Sequence, residues 1–132
     1  MNRLFFFLLL AGMLLSAVVK SLEPQSFVDE LETVINSGFS RELTRYFDNG
    51  VELNINGVQG QYSKSQAELV LRDFFKKYPA QQFKIIHQAQ QTSKFINYIG
   101  NYQTGNERFK ILIKGQFQEQ ELKIFSMEIL RD

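Results

Sequence analysis

Apolar residues follow three different rhythms along the chain. Leu4 to Val19 is an uncharged, mostly apolar run bounded by Arg3 and Lys20. From about Pro24 to Lys77 apolar residues recur mainly at helical spacing, with one alternating stretch in between. From Phe83 onward they alternate, which is the period of a strand. Phe27, Leu31, Val34 and Ile35 form one stripe and predict a first helix over about Pro24 to Asn36. Ser26 with Asp29 reads as its capping box, Asp29 and Glu30 suit the positive end of the helix dipole, and Gly38 is the stop. Ser40 is expected to cap a short second helix with Leu43, Tyr46 and Phe47 on its buried side and Asn49-Gly50 at its end. Val51, Leu53 and Ile55 then alternate with Glu52 and Asn54. Asn56-Gly57 is a strong two-residue hairpin signal, and Val58 to Tyr62 is the returning strand with Gly60 as a bulge point.

Ser63-Lys64-Ser65-Gln66 is a capping box that opens a third helix running to about Lys77. Its core face is Ala67, Val70, Leu71, Phe74 and Phe75. Lys64, Glu68 and Arg72 form a solvated ladder opposite, and Pro79 forbids continuation. Four strands follow: Phe83 to Ala89; Phe95 to Thr104 with a kink at Gly100; one carrying Phe109, Ile111 and Ile113 after a turn at Gly105-Asn106; and a last one, after a turn near Gln118-Glu119, in which Phe125, Met127 and Ile129 share a face. Helices cluster early and strands late. This order, α-α-β-β-α-β-β-β-β, predicts an α+β fold with a curved antiparallel sheet packed on three helices.

The N-terminal run changes the picture of where the chain works. A basic start followed by an apolar stretch is a secretory signal pattern, here over residues 1–21. As a helix the run spans about 24 Å, short of the roughly 30 Å hydrocarbon core of a bilayer. A retained inner-membrane anchor is the alternative. Ser21 offers a cut before Leu22 and Ser16-Ala17 an earlier one, so residues 22–132 are expected as one mature domain, exported to the periplasm or secreted. Removing Arg3 and Lys20 takes 15 basic residues to 13 against 14 acidic ones, a net charge of about −1. That near-neutral balance argues against a nucleic-acid partner. Lys76-Lys77 read as a helix end, and Lys110 with Lys114 as the solvated side of a sheet. The chain has no cysteine, which removes lipoprotein anchoring, thiol catalysis, iron–sulfur clusters and cysteine-based zinc sites.

Tyr62-Ser63-Lys64-x-Gln66-Ala67, Phe74-Phe75, Pro79, Phe83, His87 and Tyr98-x-Gly100 together resemble a family of small exported proteins of unknown function from Gram-negative bacteria. The likeness spans roughly residues 25 to 130. Together with the element order it implies a nuclear transport factor 2-like, or cystatin-like, cone of helices inside a bent sheet. It implies no mechanism, because the family carries no established activity.

The candidate chemistry is sparse. His87 is the sole histidine, and strand parity sets it with Phe83, Ile85 and Ala89 on the concave side. One histidine cannot build a multi-histidine metal site, and no metal or cofactor is expected. Catalytic relatives on this fold, such as ketosteroid isomerases and scytalone dehydratase-like enzymes, need two or more converging polar groups. Here Phe83, Ile85, Phe109, Ile111, Ile113, Phe125, Met127 and Ile129 take the inward parity, with no Asp or Glu among them; Asp48 and Asp73 read as capping or surface charges. The pocket candidates are therefore His87, Tyr98 and Tyr102, with Tyr46 and Tyr62 from neighbouring elements. Asn56 to Gly60 is a hairpin, not a phosphate-cradling loop. The leading expectation is a non-catalytic domain binding a small apolar or aromatic ligand, or a protein partner. The alternatives are a metal-independent lyase or isomerase using His87 with a tyrosine, and a homodimer packed through Ile86, Leu112, Ile124 and Leu130 on the outer sheet face.

Overall fold

The computed structural model describes residues 25–132. The expected signal sequence, its cleavage point and the Pro24 start of the first helix lie outside the described residues, as does the side chain of Ser26 and with it the expected capping box. The elements are α1 (Gln25–Asn36), α2 (Ser40–Thr44), β1 (Phe47–Ile55), β2 (Val58–Ser63), α3 (Lys64–Lys77), β3 (Gln82–Gln90), β4 (Phe95–Thr104), β5 (Glu107–Gln118) and β6 (Glu121–Arg131).

Local signals act where the sequence puts them. The Phe39 N–H donates to Val34 O at 3.2 Å and the Gly38 N–H to Ile35 O at 3.1 Å, with Gly38 at φ 67°. That pair of bonds is the Schellman stop, and its left-handed residue is the glycine. Asn56 and Gly57 take φ 52° and 89°, a type I′ turn between Ile55 and Val58. The Gln66 N–H donates to Ser63 Oγ and the Ser63 N–H to Gln66 Oε1, completing the box that opens α3. Two details differ. Phe39, not Ser40, is the N-cap of α2, and Ser40 is buried behind it. Asn49-Gly50 does not close a helix: it sits inside β1, where Phe47 faces Ile124 and Glu52 faces Ser126, so the strand absorbs the turn residues as an irregular stretch.

The six strands form one sheet in the order β2-β1-β6-β5-β4-β3. Four of its five pairings are antiparallel, but β1 and β6 run parallel, so the sheet is mixed and not antiparallel throughout. Alternation reports that one face of a strand is buried, not the direction of its neighbour, so the pattern could not separate the two cases.

Two bulges redirect side chains. In β3, Ile85 faces Gly100 and His87 faces Ile99, leaving Ile86 as the extra residue. In β6, Ile124 faces Gly115 and Ser126 faces Lys114, leaving Phe125 extra. Each bulge lies beside a glycine on the partner strand that has no room for a side chain. A Cβ on Gly100 would come within 2.4 Å of Phe83 Cε2, and one on Gly115 within 2.8 Å of Leu122 Cδ1. An extra residue inverts the facing of everything beyond it. His87, expected inside with Ala89, therefore lies exposed on the outer face. Phe125, expected inside, is only half-buried and packs edge-on against the exposed Phe95, ring centroids 6.3 Å apart. Ile124, expected on the outer face, is fully buried.

Buried aromatic rings line the inner face. Phe74, Phe75, Tyr78, Phe83, Tyr102 and Phe109 form a chain of ring contacts with centroids 4.9 to 6.3 Å apart. At its rim the Arg131 guanidinium lies over Tyr78 and Phe109 and bonds Tyr78 Oη and Glu107. Helix α1 also covers the edge strand. The Asn36 carboxamide takes both main-chain groups of Phe83, at 2.7 and 2.8 Å, and Glu32 Oε1 accepts from the Ile85 N–H at 3.2 Å.

Candidate functional site

The five residues singled out from sequence do not assemble. Tyr98 and Tyr102 both point inward from β4 and are buried. The Tyr102 hydroxyl donates to the Tyr78 carbonyl. The Tyr98 hydroxyl has no partner among the described residues. Burial pushes both phenols up to about 12, because an apolar surround disfavours the phenolate. Tyr46, half-buried between α2 and β1, donates to Glu30 Oε2 at 2.6 Å. It too is pushed up to about 12, first by burial and then by the Glu30 and Glu42 carboxylates. Tyr62 lies one residue before the end of β2, its ring against the Gly60 backbone. His87 stands on the opposite side of the sheet from Tyr98 and Tyr102. Among the described residues no two of the five are hydrogen-bonded to each other, and no group of three or more His, Asp or Glu side chains gathers as metal ligands would.

The groups that do converge are on the outer face. A hollow of about 350 Å³ lies across β3, β4 and β5, within the usual range of ligand pockets. Gln82, Lys84 and Ile86 come from β3, Asn101 and Gln103 from β4, Arg108 and Lys110 from β5, and Asp132 from the chain end. Tyr102 and Phe109 also border it, but their side chains are buried on the inner face, so their main chain forms the floor. The Ile86 side chain is 53 % exposed because the bulge turns it out. Gln103 is fixed by a bond from Nε2 to Gly105 O at 3.1 Å, and the Asp132 N–H donates to Arg108 O at 2.9 Å. Sequence reading treated Lys110 as ordinary surface charge and passed over Lys84 and Arg108. Only the pairing register across three strands brings them together, and local periodicity carries no register between distant strands.

Helices wrapped by a bent mixed sheet define a nuclear transport factor 2-like fold, a shape also described as cystatin-like. A nuclear transport factor 2-like protein of unknown function from Silicibacter pomeroyi matches with a TM-score of 0.62 and 14% identity, covering 82% of this chain and 92% of that one. A cystatin-like domain of unknown function from Nostoc punctiforme matches at 0.64 and 9%, covering 81% and 74%. The chain belongs to the DUF4783 family, a domain of unknown function whose sequence pattern matches residues 28–129. A crystal structure of a family member from Bacteroides uniformis has a TM-score of 0.72 at 22% identity, covering 77% of this chain and 94% of that one. No curated protein shows a significant match. The α+β cone and the family of unknown function expected from the motifs are both borne out.

Proposed function

We propose that the protein is an exported, non-catalytic binding domain that takes a small apolar or aromatic ligand in the outer-face hollow between β3, β4 and β5. The observation that carries this reading is the division of the sheet. Its inner face is lined by buried rings and branched aliphatic chains, whereas its outer face holds a hollow with one exposed apolar side chain and several polar ones. A lyase or isomerase would need His87 within reach of a tyrosine hydroxyl, and the β3 bulge sets His87 apart from Tyr98 and Tyr102.

N-phenyl-1-naphthylamine, a neutral aromatic probe that brightens on leaving water, tests the site. The purified protein should bind it saturably. Ile86→Ser should weaken binding about five-fold or more, the effect of removing one aliphatic contact. Leu69→Ser, at an exposed position on α3, should not change it. A signal that never saturates, or one indifferent to Ile86→Ser, refutes the site. Export is tested by mass: a periplasmic product beginning near Leu22 supports it, and an intact Met1 recovered only from membranes overturns it.

A further inference from the structure

Two rows of outward side chains frame the hollow. Register sets Lys84 beside Asn101 beside Lys110, and Gln82 beside Gln103 beside Arg108. Neighbouring strands stand about 4.8 Å apart and alternate residues about 6.7 Å apart along a strand. The six positions therefore outline a patch of about 10 by 7 Å, with cations at three of its four corners and carboxamides between them. None of these cations is paired within the described residues, whose ion pairs are Arg45–Glu42, Lys123–Glu121 and Arg131–Glu107. Asp132 at the border sets one acid against three bases.

We infer that the hollow recognises an amphiphilic organic anion, its apolar body against Ile86 and its acidic group held among Lys84, Arg108 and Lys110. Arg108 presents the planar fork that suits a carboxylate, sulfonate or phosphate. The lysine stems extend the apolar surface beside Ile86 while their ammonium groups stay in water. Asn101, between the two lysines, supplies a neutral donor. The inference rests on the hollow being a ligand site, as proposed above, and adds the charge of what enters it.

The test compares N-phenyl-1-naphthylamine with its 8-sulfonate, the same rings carrying one anionic group. At low salt the sulfonate should bind about ten-fold tighter than the neutral probe, the sum of three exposed charge contacts. Added salt should shrink that preference. Lys84→Gln with Lys110→Gln should reduce it to about two-fold, while the shortened stems weaken both probes to the same extent. Lys84→Arg with Lys110→Arg should preserve it, which guards against a general surface disturbance. Equal affinities in the unaltered protein, or a preference that survives the glutamine pair, overturn the inference while leaving the site intact. Binding of neither probe overturns both readings. Vesicles of phosphatidylglycerol in phosphatidylcholine separate the two sources of such an anion. Competition by vesicles that the glutamine pair abolishes assigns a lipid head group, and sulfonate preference without vesicle competition assigns a free acid.

Discussion

Adding one methyl at Gly100 should unseat the inner face of the sheet. An alanine there would place its Cβ 2.4 Å from Cε2 and 2.6 Å from Cζ of Phe83, and 3.0 Å from the Lys84 carbonyl oxygen. Carbon atoms pack best at about 3.5–4.0 Å, so the ring must withdraw by about 1 Å. It has little freedom to do so. Phe83 is 2% exposed, its ring lies 6.3 Å from that of Tyr102, and its main chain is held by Asn36. Overpacking of this kind costs about 1–3 kcal/mol, and the strain of two sub-contact distances argues for the upper end. Replacing glycine within a strand returns about 0.5–1 kcal/mol. The net loss should be about 2 kcal/mol, or roughly 8–16 °C in Tm for a domain of this size. Calorimetry or urea titration reads it. Phe83→Leu removes the clashing ring atoms at a cost of about 1–2 kcal/mol, so Gly100→Ala with Phe83→Leu should fall at least about 1 kcal/mol short of additivity. A Gly100→Ala protein within about 0.5 kcal/mol of the unaltered one, or strict additivity in the pair, would refute the reasoning.

The tyrosines of β4 should respond oppositely to loss of a hydroxyl. Tyr98→Phe removes a buried group without a partner and should be neutral or stabilising by up to about 1 kcal/mol, whereas Tyr102→Phe breaks the bond to the Tyr78 carbonyl and should cost about 1 kcal/mol; the reverse order in denaturant titrations would be inconsistent with both environments. Because Tyr46, Tyr98 and Tyr102 are raised to about 12 from the usual 10, the folded state holds their protons longer than the unfolded chain does. Their contribution is fully present below pH 10 and lost as pH rises toward 12. Tyrosinate absorbance complete by pH 11 with unchanged circular dichroism would contradict that. In the β5–β6 turn, Glu119 and Gln120 adopt φ 51° and 67°, a left-handed geometry that costs side-chain-bearing residues about 1–2 kcal/mol each. Glu119→Asn with Gln120→Gly should raise stability by about 1 kcal/mol, and a lower melting temperature would count against strain in that turn.

The parts of this fold readable from sequence are those whose cause lies within a few residues. The Ser63–Gln66 box, the Asn56-Gly57 turn and the Gly38 stop each carry donor, acceptor and backbone preference in one short segment, and β4 begins and ends where its pattern does. What escaped is long-range. The parallel pairing of β1 with β6 leaves no trace in alternation. Gly100 was read as a kink, but the extra residue sits across the ladder in β3, so the inversion reached His87 through a partner strand. The same device near Gly115 exchanged Ile124 and Phe125. Tyr98 and Tyr102 were read as pocket candidates; the structure buries both, and the partner each finds or lacks depended on elements outside β4. The hollow was hidden for the same reason, since Lys84, Arg108 and Lys110 meet only through register.

The carboxamide of Asn36 answers both main-chain groups of Phe83, which is what an additional strand would do for that residue. A second molecule sliding an extended segment along this border would find the first part of β3 already engaged and the next part bent by the extra Ile86. Fibre-like growth from this side must begin by prising α1 away.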